Sequence, residues 1–324
     1  MGTVLVTGAA GFIGSHTALQ LLGRHQRVIG LDNLNDYYDP SRKESNVRFL
    51  QESAADADSF RFVRGDLRDR DTVDSIITSE RVDTIVHLGA MAGVRVSIEQ
   101  PELYYDVNIM GTLNILNAAR DHGIRNVVFA STSSVYGRME TSPFSEDDPC
   151  DRPLSPYAAS KRGAEMLCHT YHHLFGLNVT ALRFFTVYGP RGRPDMMAYK
   201  VLDNIFSGAE VPIFNGGQMY RDWTYIDDIV AGITSAAERP IGFEIINLGR
   251  GEPVLLADFV GLIEEATGRK ANLTPAPMPE ADVPYTFADI SKARRLLDYN
   301  PKTSVREGVG ALWSWYEAEV LAHA

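Results

Sequence analysis

The sequence predicts an α/β fold, a doubly wound parallel sheet with helices on both faces, joined to a smaller C-terminal α/β unit. Three observations predict it. Short β-branched runs alternate with helix-length segments up to Phe184. Gly8, Gly11 and Gly14 follow the first of those runs directly. After Val187 the chain turns rich in Gly, Pro and Arg, and its elements shorten.

Residues 3–7 (TVLVT) read as the first strand, with helical periodicity from Ser15 to Arg24 beyond the glycines. Strand, glycine turn and helix in that order is the Rossmann-like arrangement for a dinucleotide. Gly8 permits the tight turn, Gly11 lets the backbone approach a pyrophosphate, and Gly14 lets helix and strand pack closely. The phosphates then sit at the positive end of the helix, beside Phe12 and Ile13. A glycine-rich turn without a ligand is the alternative, and the flanking strand and helix weigh against it. The spacing G-x-x-G-x-x-G, rather than G-x-G-x-x-G, points to one branch of these folds.

The second strand, 27–31, ends in Asp32, followed by Asn33. A carboxylate there accepts both adenosine ribose hydroxyls and repels a 2′-phosphate, so NAD is favoured over NADP. Residues 33–58 form a polar insertion of loop and helix. The third strand, 60–63, leads to Gly65-Asp66-Leu67, which places Asp66 to contact adenine. The fourth, 84–88, ends in Leu88 and opens onto Gly89-Ala90-Met91-Ala92-Gly93, small residues that suit backbone lying along the cofactor. His87 reads as a packed strand histidine, since no second metal ligand lies at a useful spacing. A long amphipathic helix is predicted over 102–122. The fifth strand, 126–130, carries Ser131-Thr132-Ser133-Ser134 at its end, in the crevice where such sheets bind ligands. Pro153 and Pro156 precede a helix reaching about Phe175, and 178–184 is the sixth strand.

That last helix carries Tyr157 and Lys161, four residues apart and therefore on one face. A phenol is a poor base near neutrality, and lowering its pKa by roughly three units takes about 4 kcal/mol of preferential stabilisation. A lysine ammonium alongside, helped by a cationic nicotinamide, acts in that direction. Two unrelated residues on an exposed turn would show the same spacing, so the context decides.

With 324 residues, 44% of them hydrophobic, the chain can build one large or two modest domains. Residues 1–187 are assigned to dinucleotide binding, rejoined by about 220–247, and 188–324 mainly to the second ligand. A formal net charge of −11 disfavours nucleic acid or an anionic membrane as the main partner, and an anionic small substrate then needs a local basic pocket. Cys150 and Cys168 imply no disulfide framework, and with no signal peptide or membrane-length apolar run the expected location is the cytoplasm. The helices over 102–122 and 157–175 could pair across a subunit boundary, so a homodimer is expected, with ordinary core packing as the alternative.

Assembled, these pieces resemble the extended short-chain dehydrogenase/reductase family over nearly the whole chain. The matches are Thr7 to Gly14, Gly65-Asp66-Leu67, Ser131 to Gly137, the Tyr157/Lys161 pair and Arg221-Asp222-Trp223-Thr224-Tyr225-Ile226-Asp227-Asp228. Within the family the chain looks most like the UDP-glucuronate 4-epimerases, through Asp32 to Asp39, Ala92-Gly93-Val94-Arg95 and above all Leu182 to Met196. Gly89, where alanine is usual, and Glu280-Ala281 before Asp282 are small departures.

The resemblance implies a tightly held NAD and no net redox. Tyr157 takes the proton of the sugar C-4 hydroxyl as the C-4 hydride leaves for NAD. Lys161 lowers the tyrosine pKa and binds the nicotinamide ribose, and Thr132 holds the C-4 oxygen. The 4-keto sugar turns over in the site, and hydride returns to its other face. Related decarboxylases carry Glu two residues after the threonine, and 4,6-dehydratases an Asp-Glu pair directly after it. Here those positions are Ser133 and Ser134, which offer no carboxylate acid or base. Ser133, Ser134, Thr186 and Arg193 are expected to grip the uronate carboxylate, Arg191 to serve the same polyanion, Arg221 the diphosphate, and Arg95 and Asp282 the nearby UDP-sugar. A UDP-glucuronate decarboxylase, a UDP-glucose/galactose epimerase and a catalytically dead NAD-sensing scaffold are the competing readings. The last of these commonly lacks the Tyr/Lys pair present here.

Overall fold

The computed structural model describes residues 2–139 and 142–323. Its centre is a seven-stranded sheet in which every pairing is parallel. The strands are β1 Thr3–Thr7, β2 Arg27–Asp32, β3 Phe60–Arg64, β4 Thr84–His87, β5 Asn126–Thr132 and β6 Val179–Phe184, with Phe243–Leu248 added outside β6. Spatially the order runs from Phe243–Leu248 through β6, β5, β4 and β1 to β2 and β3. Sequence order reverses between β1 and β4, and the carboxyl ends of the strands at such a switch point open the ligand crevice. Helices cover both faces, which is why these strands are near-continuous apolar runs.

Two elements differ from the sequence expectation. The helix expected over 102–122 is three pieces: Pro101–Tyr105, a widened π-helical turn Asp106–Met110, and Gly111–Asp121. The widened turn lets Asn108 leave the regular ladder. Its amide bonds both Met91 N (2.8 Å) and Met91 O (2.9 Å), and the Thr112 hydroxyl takes its carbonyl at 2.6 Å. Apolar spacing does not register such a turn, because the amphipathic face continues through it. The fifth strand runs on to Thr132, past its apolar stretch, because Ser131 and Thr132 still pair with Arg183 and Phe184.

Helix Pro156–Phe175 is fixed at both ends. The Ser155 hydroxyl accepts from Ala158 N at 3.2 Å, Pro156 occupies the first turn, and Gly176 closes the helix at φ 69°. Beyond Val187 the chain forms helices Met197–Ser207, Leu256–Thr267 and Val305–Glu319 with small sheets of two and three strands. One three-stranded sheet sets Tyr220–Arg221 between Val254–Leu255 and Tyr285–Thr286. Trp223 stacks face to face on Phe259 at 3.7 Å, locking that region together. Among the described residues no helix is long and apolar enough to cross a membrane.

Candidate active site

A cleft of about 1490 Å³ lies over the carboxyl ends of the sheet. That exceeds the roughly 300–1,000 Å³ of a site for one small ligand, so it has room for a dinucleotide and a second molecule.

At one end the turn Gly8–Gly14 accepts only glycine at key positions. A Cβ on Gly8 (φ +69°) would lie 2.8 Å from Gly89 Cα, and one on Gly14 would lie 1.9 Å from Gly8 O. The turn leads directly into helix Phe12–Gly23, which has no side-chain cap and whose first residues, Phe12, Ile13 and Gly14, line the cleft. Asp32 accepts from Ala10 N at 3.2 Å and Leu34 N at 2.9 Å. Burial pushes its pKa up, against those amides and the charge of Lys43. This cradle, too tight for a side chain at Gly8 or Gly14 and ending in the carboxylate of Asp32, fits NAD. Asp66 lines the same end, with its carboxylate held by Arg68 at 2.9 Å and Asn33 at 3.0 Å.

In the middle stand Thr132, Tyr157 and Lys161. The Tyr157 ring packs edge-on against Tyr104, centroids 6.1 Å apart. Burial pushes its phenol above the ordinary value, while the Thr132 hydroxyl and the Arg193 charge pull it back. Lys161 is 2% exposed, with Nζ 4.3 Å from the Phe129 ring centroid. Burial lowers its pKa to about 8. With the protein's own groups, burial outweighs the influences that lower the phenol, and Lys161 is not among those influences. A further positive charge delivered beside Tyr157 is what this pocket needs.

At the far end Thr132, Ser133, Ser134 and Thr186 present hydroxyls, with Thr132 Oγ1 donating to Ser134 Oγ at 3.2 Å. Arg193 is clamped by Asp195, Nε to Oδ1 at 2.9 Å and Nη2 to Oδ2 at 2.6 Å. Burial opposes its charge, but Asp195 keeps the guanidinium firmly protonated. Arg221 and Arg95 flank Asp282 at 3.8 and 3.7 Å. Seven basic residues (Lys43, Arg68, Arg95, Lys161, Arg193, Lys200, Arg221) line the cleft against six acids (Asp32, Asp36, Asp66, Asp195, Glu280, Asp282). In a chain of net charge −11 the cleft lining is therefore close to charge balance rather than acidic, which lowers the repulsion an anionic ligand would meet there.

The pattern of the NAD dependent epimerase/dehydratase family matches residues 4–249. The chain belongs to that family. Among its members, the UDP-glucuronate 4-epimerase of Thermodesulfobacterium geofontis is 43% identical over 321 residues, 99% of this chain and 98% of that one. The crystal structure of the Bacillus cereus UDP-glucuronic acid 4-epimerase with UDP-glucuronic acid and NAD superposes with a TM-score of 0.91 at 35% identity, covering 98% of this chain and 99% of that one. The Thermus thermophilus UDP-glucose 4-epimerase with NAD gives a TM-score of 0.87 at 31% identity, covering 98% of this chain and 100% of the other.

For this member of the epimerase/dehydratase family, every site residue singled out from the sequence lines the one cleft, except Arg191. Expected to meet the substrate, Arg191 instead turns outward, bonding Asn46 Oδ1 at 3.1 Å and covering the Phe49 ring at 4.1 Å. Arg191 itself takes the left-handed conformation, φ 58°, while its neighbour Gly192 gives its N–H to the Tyr199 hydroxyl at 2.7 Å, and the two arginines end on different partners, Asn46 and Asp195. Sequence reasoning missed Tyr37 and Asp195, which line the cleft and meet at 3.3 Å. Both fall inside the long family-like segments. Only the fold brings two residues so distant in sequence together.

Proposed function

We propose that this protein interconverts UDP-glucuronate and UDP-galacturonate by NAD-dependent 4-epimerisation through a transient 4-keto sugar. The observation that carries the reading is the acid-binding end of the cleft: hydroxyls at Ser133, Ser134 and Thr186, no carboxylate at the two positions after Thr132, and Arg193 facing in. Hydroxyls hydrogen-bond a carboxylate without repelling it. They cannot serve as the acid or base that elimination or decarboxylation would use.

When bound, NAD supplies a reversible hydride acceptor and the positive charge that Tyr157 lacks. Tyr157 removes the proton from the C-4 hydroxyl and later returns one. Thr132 orients the C-4 oxygen, and Lys161 holds the nicotinamide ribose and the local positive field. Arg221 takes the diphosphate and Arg95 stands near the sugar, with the hexose turning over between Arg221 and Arg193. Gly8–Gly14 would hold the pyrophosphate, Asp32 and Asn33 the adenosine ribose, and Asp66 and Leu67 the adenine, with Leu88 and Ala90 alongside the cofactor.

The same reading assigns residues 1–187, rejoined by about 220–247, to the cofactor and 188–324 mainly to the UDP-sugar. It also takes the protein as a cytoplasmic homodimer. Tyr105, Met110 and Met166, on the packed helices 101–121 and 156–175, are 43%, 48% and 61% exposed, and a second copy would cover them. Cys150 and Cys168 are free and buried, as a reducing compartment allows.

Purified protein incubated with UDP-glucuronate should yield UDP-galacturonate. UDP-xylose with carbon dioxide as the main product, or no turnover of the acid with ready turnover of UDP-glucose, would overturn the reading.

A further inference from the structure

Arg191 is the one site residue that the cleft leaves unused. It adopts the left-handed conformation, φ 58°, without being glycine, so the surroundings must hold it there. Its guanidinium bonds Asn46 Oδ1 at 3.1 Å and lies over Phe49. Asn46 is 4% exposed and uses its other end to donate to Ala10 O at 2.9 Å. Ala10 in turn gives its N–H to Asp32 at 3.2 Å. An unbroken chain of hydrogen bonds therefore runs from the ribose-reading carboxylate, through the glycine turn, to the loop two residues before Arg193.

The rest of that loop is pinned to the same body. His16, in the helix after the glycine turn, bonds Pro190 O at 3.0 Å, and burial, its leading influence, lowers its pKa to about 4, so it stays neutral near pH 7. The Tyr199 hydroxyl joins Gly189 O at 3.1 Å to Gly192 N at 2.7 Å. These anchors fix the backbone on either side of Arg191. Among the described residues, Arg191 makes the one hydrogen bond from this loop to the outer helix Pro40–Ser53.

We propose that Arg191 is a positioning residue for Arg193. Through Asn46 it registers the uronate-reading loop against the turn that would hold the dinucleotide, so that the Arg193 guanidinium is presented to the sugar carboxylate. The inference rests on the proposed function for the identity of the ligand.

The test measures dissociation constants of UDP and UDP-glucuronate by calorimetry on NAD-loaded protein, in a Tyr157→Phe background that stops turnover. Arg191→Met keeps the apolar stem over Phe49 and removes the fork, and Arg191→Ala removes both. The expected result for each is about tenfold weaker UDP-glucuronate binding, the scale of a small misplacement of a binding group, with UDP changed less than about twofold. Loss of a distant positive charge would weaken both ligands, and UDP at least as much. Equal losses for both, or no loss for either, would overturn the proposal. Turnover of UDP-glucuronate by the wild type is read separately, so failure of the proposed function and failure of the Arg191 link give different results.

Discussion

Glu165 and Arg183 form a two-pronged ion pair in the interior, both contacts at 2.9 Å, with side chains 0% and 1% exposed. Glu165 lies one turn beyond Lys161, and its Oε1 also accepts from the Ser131 hydroxyl at 2.5 Å, next to Thr132. Burial opposes the carboxylate, but the hydrogen bond and charge of Arg183 hold its pKa below the ordinary range. The pair thus bolts the helix bearing Tyr157 and Lys161 to the strand ends bearing Thr132.

Glu165→Ala should therefore cost about 3–5 kcal/mol, because it strands a buried guanidinium without its counter-charge. Glu165→Gln/Arg183→Met should recover much of that loss by replacing the pair with neutral groups. Urea midpoints of the three proteins check this. A double variant no more stable than Glu165→Ala would show that the cost came from packing and not from the orphaned charge.

Gly14→Ala puts a methyl 1.9 Å from Gly8 O, with rigid backbone on both sides. Overpacking of this kind costs about 1–3 kcal/mol or more. Since the shift falls on the turn that cradles the pyrophosphate, NAD should no longer co-purify. Gly23→Ala is the control: it lies in the same helix with nothing within 4 Å of its added Cβ. It should be neutral or stabilising by up to about 1 kcal/mol. Absorbance of released nucleotide and thermal melts separate the two.

Much of this site could be read from the chain because its determinants are local. Gly8, Gly11 and Gly14 sit in one turn, Asp32 ends one strand, and Tyr157 and Lys161 share one helix face, so spacing alone groups them. What escaped reading depends on non-local geometry. Arg191 and Arg193 look equivalent in sequence, yet the left-handed backbone at Arg191 accompanies different partners for the two, Asn46 for Arg191 and Asp195 for Arg193. Asp195 and Tyr37 meet only because the fold closes the 33–39 loop over the 189–195 loop. The Tyr157 phenol is raised rather than lowered because its burial is a tertiary property, invisible in the Tyr-x-x-x-Lys spacing.

His87 is fully buried, bonded to Thr7 Oγ1 at 2.7 Å and Thr112 Oγ1 at 3.0 Å. Burial lowers its pKa from 6.5 to about 3, so the folded protein keeps it neutral. Between those values the unfolded chain binds the proton and the folded one does not, so stability falls as pH drops below about 6.5 and keeps falling toward 3. By pH 5 the contribution of this one group is about 2 kcal/mol. His87→Gln keeps hydrogen-bonding capacity but cannot charge. Its loss of stability from pH 7 to pH 5 should be smaller than that of the wild type by this amount. His16, lowered to about 4, titrates in the same window and leaves a residual slope. Equal slopes for variant and wild type would remove His87 from the acid sensitivity of the fold.

The 4-keto uronate in the proposed reaction is a β-keto acid, and it loses carbon dioxide readily once the scissile bond aligns with the carbonyl π system. A carboxylate pinned by Arg193, Thr186 and the two serines is held out of that alignment. Releasing it should therefore change the outcome as well as the rate. Arg193→Ala removes a charge-assisted contact, and such bonds are worth about 1.5–3 kcal/mol. UDP-glucuronate affinity should fall about tenfold to a hundredfold, and the share of product appearing as UDP-pentose with carbon dioxide should rise above the wild-type level. Thr186→Val should show the same partition change with a smaller loss of affinity, because it removes only a neutral hydroxyl. Both variants keep Tyr157, Lys161 and the NAD cradle, so hydride can still leave C-4 and return. If both bind less tightly yet release no more pentose than the wild type, the carboxylate grip serves affinity alone, and the ketone acid must be protected by something other than the pose of its carboxylate.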